Sequence, residues 1–255
     1  MFNLLLLLTL SHNVAGVIDN DEVLFLERLS TDRKKTSLEY ATLFKFVLDL
    51  HKINETDVDG AIISSVVPEI SVVVEESLSK LFNTKPVVVG PGIKTGLSIK
   101  IDDPGQLGAD MVAGAVAAKE EYPLPQIIFD LGTATTISAI SKQGEFLGCA
   151  IAAGVRTSVD SIARISSQLL TIGFEMPTHT IGTNTKDSMI SGSVLGTSSM
   201  MDGMIDKMER ELGEKATVIA TGGLAKYILP NCTHEIIYDN ELILKGLNII
   251  YKKNK

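Results

Sequence analysis

The feature of this sequence that most restricts its fold is a pattern that occurs twice. A leucine run from Leu4 to Leu8 is followed by Thr9-Leu10 and a short polar link. Then Gly16-Val17-Ile18-Asp19-Asn20-Asp21-Glu22-Val23-Leu24-Phe25-Leu26 reads as strand, acidic turn, strand. From Gln126 the order returns: Gln126-Ile127-Ile128-Phe129-Asp130, then Ile137-Ser138-Ala139-Ile140, the turn Lys142-Gln143-Gly144, and Phe146 to Ala152. Continuous apolar runs suit buried strands, and polar links with glycine suit tight turns. Each half then passes to alternating helices and strands. No sequence identity joins the halves, so the repeat is one of architecture. It predicts an α/β protein of two lobes, 1–121 and 122–255, divided at Tyr122-Pro123-Leu124-Pro125. A cleft between such copies is the expected place for a ligand.

The elements between follow from periodicity. Helices are predicted over Leu38–Leu50, Ile70–Phe82, Ala109–Glu121, Lys186–Leu195 and Leu242–Tyr251. Strands are predicted at Ala61–Val67, stopped by Pro68, at Pro86–Val89 and at Thr217–Ala220. The leucine run at the start has no Lys or Arg before it and falls far short of the ~20 residues a membrane span needs. It is read as a buried first strand, with no membrane association.

Composition removes several functions. The 255 residues carry 31 acidic and 23 basic side chains, a net charge of −8, which argues against nucleic acid as a partner. Aromatic residues are 5% and Trp is absent, so stacking platforms for single strands or sugars are missing. Two cysteines, Cys149 and Cys232, and four scattered histidines exclude a disulfide scaffold and argue against a Cys/His metal site. The expectation is a cytoplasmic protein.

Four segments carry candidate chemistry. Asp130-Leu131-Gly132-Thr133-Ala134-Thr135-Thr136 ends a buried strand, where carboxyl ends face the ligand crevice of an α/β sheet. Gly132 permits close approach to the backbone, the three threonine hydroxyls can donate to phosphate, and Asp130 can hold a cation. The bland alternative is a hydroxyl-rich turn. Gly90-Pro91-Gly92-Ile93-Lys94-Thr95-Gly96 and Gly108-Ala109-Asp110 precede the Ala-rich helix, placing Asp110 in its first turn. There it is either a favourable N-terminal acid or a base facing the cleft. Thr221-Gly222-Gly223-Leu224 suits a ring or phosphate, or merely a tight turn before a helix. Ile181-Gly182-Thr183-Asn184-Thr185 offers hydroxyls before a helix, or Asn184 or Thr185 merely caps that helix.

In chain order, these segments together with Arg28-Leu29-Ser30-Thr31-Asp32 and Ile63-Ser64-Ser65-Val66-Val67-Pro68 resemble the type III pantothenate kinases of the acetate and sugar kinase–actin superfamily. The resemblance spans nearly the whole chain. It implies two actin-like (ribonuclease H-like) lobes with a ligand cleft between them, a homodimer, and ATP with Mg²⁺. A monovalent cation, K⁺ or NH₄⁺, is implied as well. The implied reaction is phosphorylation of pantothenate, the first step of coenzyme A synthesis. By position, Asp110 is implied as the general base. Gly108, Ala109, Asp110, Met111 and Thr185 are implied to line the pantothenate site, and Asp130 the cation site. Ser11, Gly132, Thr133, Gly222 and Gly223 are implied to meet ATP.

The sequence also departs from that family. Members usually open with a strand ending Asp-x-Gly-Asn-Thr, and ungapped counting back from Gly16 places Leu7, Leu8, Thr9, Leu10 and Ser11 there. An alkyl chain replaces a carboxylate that would help organise Mg²⁺, and a Cβ replaces a glycine's open backbone. Met111 stands where members usually carry Arg, and Cys149 and Ala153 replace Gly and Pro. Two functions are therefore expected to compete: an ATP-dependent pantothenate kinase with activity weakened or lost, and an inactive paralogue with a ligand-binding, regulatory or scaffolding role.

Overall fold

The computed structural model describes residues 2–8, 12–82, 84–165 and 172–255. Its contacts divide the chain into two units. The first comprises Met1–Leu97, Asp102–Glu120 and Glu241–Lys255, and the second Ser98–Ile101 and Glu121–Asn240.

In the first unit the leucine run forms β1 (Phe2–Leu8), followed by β2 (His12–Asp19) and β3 (Glu22–Ser30). The turn between β2 and β3 is made by Asn20 and Asp21, both at positive φ, which short polar side chains tolerate best. Helix α1 (Ser37–Leu50) starts on a capping box, in which Glu39 N–H donates to Thr36 Oγ1 and Thr36 N–H to Glu39 Oε2. Strand β4 (Val58–Ser65) leads into α2 (Pro68–Phe82), so Pro68 opens the helix rather than only ending the strand. Strand β5 (Val87–Val88) completes a sheet of order β3-β2-β1-β4-β5, antiparallel across β3, β2 and β1 and parallel across β1, β4 and β5.

Side-chain alternation splits this sheet into two faces. Leu4, Leu6, Ala15, Val17, Ala61 and Ile63 pack with Tyr40 and Phe44 of α1 and Val74 and Leu78 of α2. On the other face Gly16 lies against Leu244, and Gly60 leaves room for the Tyr251 hydroxyl.

The second unit takes β6 (Ser98–Ile99) from within the first unit's segments; α3 (Ala109–Glu121) returns to the first. Then come β7 (Gln126–Leu131), β8 (Ala134–Ile140), β9 (Glu145–Ala153), α4 (Val155–Ile165), α5 (Thr185–Leu212), β10 (Thr217–Thr221), α6 (Ala225–Ile228) and β11 (Ile237–Tyr238). The order is β11-β10-β7-β8-β9-β6. Read from its first strand, β9-β8-β7-β10-β11 repeats the pairing and directions of β3-β2-β1-β4-β5. This repeated topology establishes the α/β, actin-like fold in each unit, with β6 added in parallel at the β9 edge. Phe129, Leu131, Ile137 and Ala220 form the core with Val155 of α4, Met201 and Ile205 of α5, and Ile228 of α6.

The closing helix α7 (Leu242–Asn254) belongs to the first unit. It meets α3 so closely that a Cβ on Gly246 would overlap the backbone carbonyl of Ala113. Among the described residues no helix is long and apolar enough to cross a membrane.

Candidate functional site

In the first unit, β1 and β4 run parallel and end together. Leu7 is in register with Ser64 on one side and Val14 on the other, while Leu8 pairs with Ser65 and Asn13. Thr9, Leu10 and Ser11, the remainder of the degenerate phosphate segment, lie outside the described residues. Two polar side chains at these strand ends are fully buried and incompletely satisfied. Ser64 Oγ has no hydrogen-bond partner, and Asn13 Nδ2 has none although its Oδ1 accepts from Thr31 Oγ1 at 3.0 Å.

Asp110 occupies the first turn of α3. Its Oδ1 accepts from the Met111 amide at 2.8 Å. Partial burial pushes the carboxyl above its ordinary range, and hydrogen bonds from the Met111 and Asp110 amides oppose that shift without cancelling it. No charged side chain contributes to the shift. Gly108 sits directly before the turn, and Met111 follows as a half-buried thioether. A carboxylate raised by desolvation with one oxygen tied to a backbone amide is suited to receiving a proton on the other oxygen.

The loop from Gly90 to Gly96 has a structural explanation. Gly92 and Gly96 adopt φ of 92° and 74°. Lys94 N–H donates to Asn254 Oδ1 at 3.0 Å, Asn254 Nδ2 donates back to Lys94 O at 2.9 Å, and Lys119 Nζ donates to Gly96 O at 3.0 Å. The loop is thus pinned to the ends of α7 and α3.

In the second unit the carboxyl ends of β7 and β10 carry Asp130 and Thr221 side by side. Gly132 N–H donates to Ala134 O at 3.1 Å, and Thr133 O accepts from Gly154 N–H at 3.1 Å and from Thr157 Oγ1 at 2.7 Å. Gly132 and Thr133 are exposed. A Cβ on Gly132 would stand no nearer than 3.5 Å to its neighbours, so nothing within the unit requires glycine there. Gly222, at φ 103°, is required, since a Cβ would lie 2.7 Å from Leu131 O. Gly154 is required as well, because a Cβ would collide with the carbonyls of Gly132 and Thr133. Backbone from three loops therefore converges at one end of the sheet, with Gly132 and Thr133 exposed at its surface.

Gly154 escaped sequence reasoning; its signal was a glycine after a run of small residues, just before a helix. Thr135 departs from expectation. It is fully buried, in the layer of Leu131 and Ile137, so its hydroxyl does not reach the exposed loop. Thr185 heads α5, behind the Asn184 cap whose Oδ1 accepts from Asp187 N–H at 2.9 Å. It lines a hollow of about 460 Å³ with Gly182, Thr183, Asn184, Ser188 and Met189.

Asp130 offers one carboxylate for a cation, but among the described residues no three His, Cys, Asp or Glu side chains form a metal cluster. Gly132, exposed and with nothing nearer than 3.5 Å to its Cβ position, leaves its backbone open to a phosphate. Among the described residues in register at the end of β1 and β4, Mg²⁺ would meet the Ser64 hydroxyl but no carboxylate, and carboxylates usually hold this ion.

Comparison with known proteins agrees with the fold and the order of these segments. Residues 11–207 match the family model for type III pantothenate kinase. A type III pantothenate kinase of Halalkalibacterium halodurans is 41% identical over 244 residues, 96% of each chain. One from Exiguobacterium sibiricum is 42% identical over 242 residues, 95% of each. Among solved structures, MreB 5 of Spiroplasma citri bound to AMPPNP superposes with a TM-score of 0.54 at 13% identity, covering 98% of this chain and 96% of that one. The match to the family model begins at residue 11, beyond Leu7, Thr9 and Leu10. With four tenths of its residues shared across nearly its whole length, the chain belongs to the type III pantothenate kinase family.

Proposed function

We propose that this protein is an ATP-dependent pantothenate kinase of reduced turnover. The observation that carries the reading is Asp110, a desolvated carboxylate held by the Met111 amide at the start of α3. In the proposed reaction Asp110 Oδ2 takes the proton of the pantothenate hydroxyl, with Gly108, Ala109, Met111 and Thr185 lining the substrate. Gly132, Thr133, Gly222 and Gly223 receive ATP, and Asp130 holds K⁺ or NH₄⁺. Bound nucleotide supplies the phosphoryl group. The loose transition state of such transfers depends on positioning and charge neutralisation more than on a strong base.

Leu7 and Met111 set the expected rate. Loss of a metal-organising carboxylate removes transition-state stabilisation at about 1.4 kcal/mol per tenfold in rate. We further propose a cytoplasmic homodimer built on the second unit, supported by Leu147, Cys149 and Ile151, which alternate on one exposed face of β9. A second reading, an inactive paralogue that binds ligand or partner, is favoured by Leu7 and Met111, which stand where the family usually carries Asp and Arg.

Transfer of labelled phosphate from ATP to pantothenate tests the choice. Slow transfer, well below the ~10 s⁻¹ typical of enzymes, is expected. Turnover at that typical rate would overturn the weakening. No phosphopantothenate under any cation condition would favour the paralogue.

A further inference from the structure

At the carboxyl end of the second sheet, three neighbouring parallel strands finish in the order β7, β10, β11. Asp130 of β7 stands in register with Thr221 of β10, and Ala220 of β10 with Tyr238 of β11. Neighbouring strands lie about 4.8 Å apart, so β11 is displaced from β7 and its Gly132 loop by two spacings, about 10 Å. Gly222 and Gly223 follow the strand between them and carry no side chain into that interval. The Tyr238 hydroxyl lies 3.3 Å from Gly222 O and 3.1 Å from Asn240 Oδ1, its one proton shared between these acceptors. Both contacts hold the phenol against the loop after β10, yet Tyr238 remains 43% exposed. Among the described residues of the second unit it is the one exposed aromatic side chain: Phe129 and Phe146 are buried, and Tyr122, Phe174 and Tyr227 are half-buried. An aromatic ring fixed at the carboxyl end of parallel strands, where ligands of α/β sheets bind, is suited to stacking on a flat ring.

We infer that Tyr238 holds the base of the nucleotide: its ring stacks on the base while the phosphates reach the backbone at Gly132 and Thr133, so the chain prefers purine to pyrimidine nucleotides. The inference rests on the reading of the second unit as the nucleotide site and adds what selects the base. The spacing suits it, because the ribose and the first phosphate have to cross the interval over Gly222 and Gly223. A stacking ring does not read the edge of a base, so adenine and guanine are held alike. A two-ring purine covers more of the phenol than a one-ring pyrimidine does, and that difference is the source of the preference.

Calorimetric titration of the full chain with ATP, GTP and UTP tests it. The wild type should bind ATP and GTP within about threefold of each other and UTP about tenfold more weakly. Tyr238→Phe, which keeps the ring, should keep that ratio. Tyr238→Ala should weaken ATP about tenfold and UTP by less than about threefold, so that the preference disappears. A loss shared equally by ATP and UTP in Tyr238→Ala would mark a structural role and overturn the inference. Tyr238→Trp gives an independent reading, because the chain has no other tryptophan. Its indole emission should be quenched more by ATP and GTP than by UTP at equal occupancy, and equal quenching overturns the stack. Equal affinity of the wild type for ATP and UTP overturns the inference and leaves the second unit as the nucleotide site, whereas no binding of any nucleotide overturns both. Because the preference is read from binding, its loss in Tyr238→Ala alongside a wild type that forms no phosphopantothenate would sink the kinase reading and leave this one standing.

Discussion

Gly108 and Asp110 are coupled by space: a Cβ on Gly108 would stand 2.6 Å from Asp110 Oδ1, the oxygen that the Met111 amide holds. The glycine is what lets the carboxylate fold back onto the helix start. Gly108→Ala should therefore displace Oδ1 from that amide. Losing a hydrogen bond that favours the ionised form raises the carboxyl further. The acidic limb of turnover should move to higher pH, and kcat should fall more than the KM for ATP changes. A pH–rate profile of the variant that overlies the wild-type profile, scaled only in height, would refute the coupling.

Asp110 itself should trade stability for chemistry. Its folded-state carboxyl lies above its ordinary value because desolvation outweighs the amide hydrogen bonds. Stability from the protonated form is present at low pH and is lost as pH rises through the folded value. Asp110→Asn should abolish phosphoryl transfer while leaving the protein as stable or up to ~1 kcal/mol more stable at neutral pH. Thermal melts at several pH values check this, since the stability gain should vanish in acid. Residual transfer by the variant would remove Asp110 from the base role.

Met111 tests substrate recognition. A guanidinium at this half-buried first-turn position could pair with the pantothenate carboxylate, and such charge-assisted bonds are worth about 1.5–3 kcal/mol. Met111→Arg should lower the KM for pantothenate about tenfold or more. Combined with Leu7→Asp, Thr9→Gly, Leu10→Asn and Ser11→Thr, it should raise kcat as well. Steady-state kinetics of the single and fivefold variants separate the two contributions, and an unchanged KM in Met111→Arg would mean that residue 111 does not meet the carboxylate.

The crossing of α3 and α7 gives a stability prediction. Gly246→Ala puts a methyl group into the Ala113 carbonyl, and overpacking of this kind costs about 1–3 kcal/mol or more. The melting temperature should drop by roughly 2–4 °C per kcal/mol in a chain of this size. Gly114→Ala, whose Cβ would lie 3.9 Å from Ile243 and Leu242, should change little.

How far the sequence could be read depended on how each element is stabilised. The meanders were legible because Leu4–Leu8 and Gln126–Asp130 are apolar runs with clear turns after them, and α3 because Val112 to Ala118 are all buried small or apolar residues. Helix α5 was expected to end at Leu195 and runs to Leu212. Gly192, Gly196 and Gly203 lower its intrinsic propensity, and burial of Val194, Met201 and Ile205 overrides them. The helix expected after Gly222-Gly223 is only Ala225–Ile228, followed by a tight turn through Pro230. Strands β6 and β11 have two residues each and give no periodic signal. At the candidate site, Asp110 and Asn184 were legible from helix-start chemistry. The burial of Thr135 and the need for Gly154 were not, because both depend on which backbone lies across from them.

The placement of α7 has a consequence for biosynthesis. The strands of the first sheet emerge early, yet the helix that covers Gly16 and Gly60 is translated long after them, at Leu242–Asn254. Until residues 242–254 leave the ribosome, that side of the nascent sheet stays bare, a period when unshielded β-structure invites aggregation. A truncation before Leu242 should therefore cost the earliest-synthesised unit more than the one translated just before the cut.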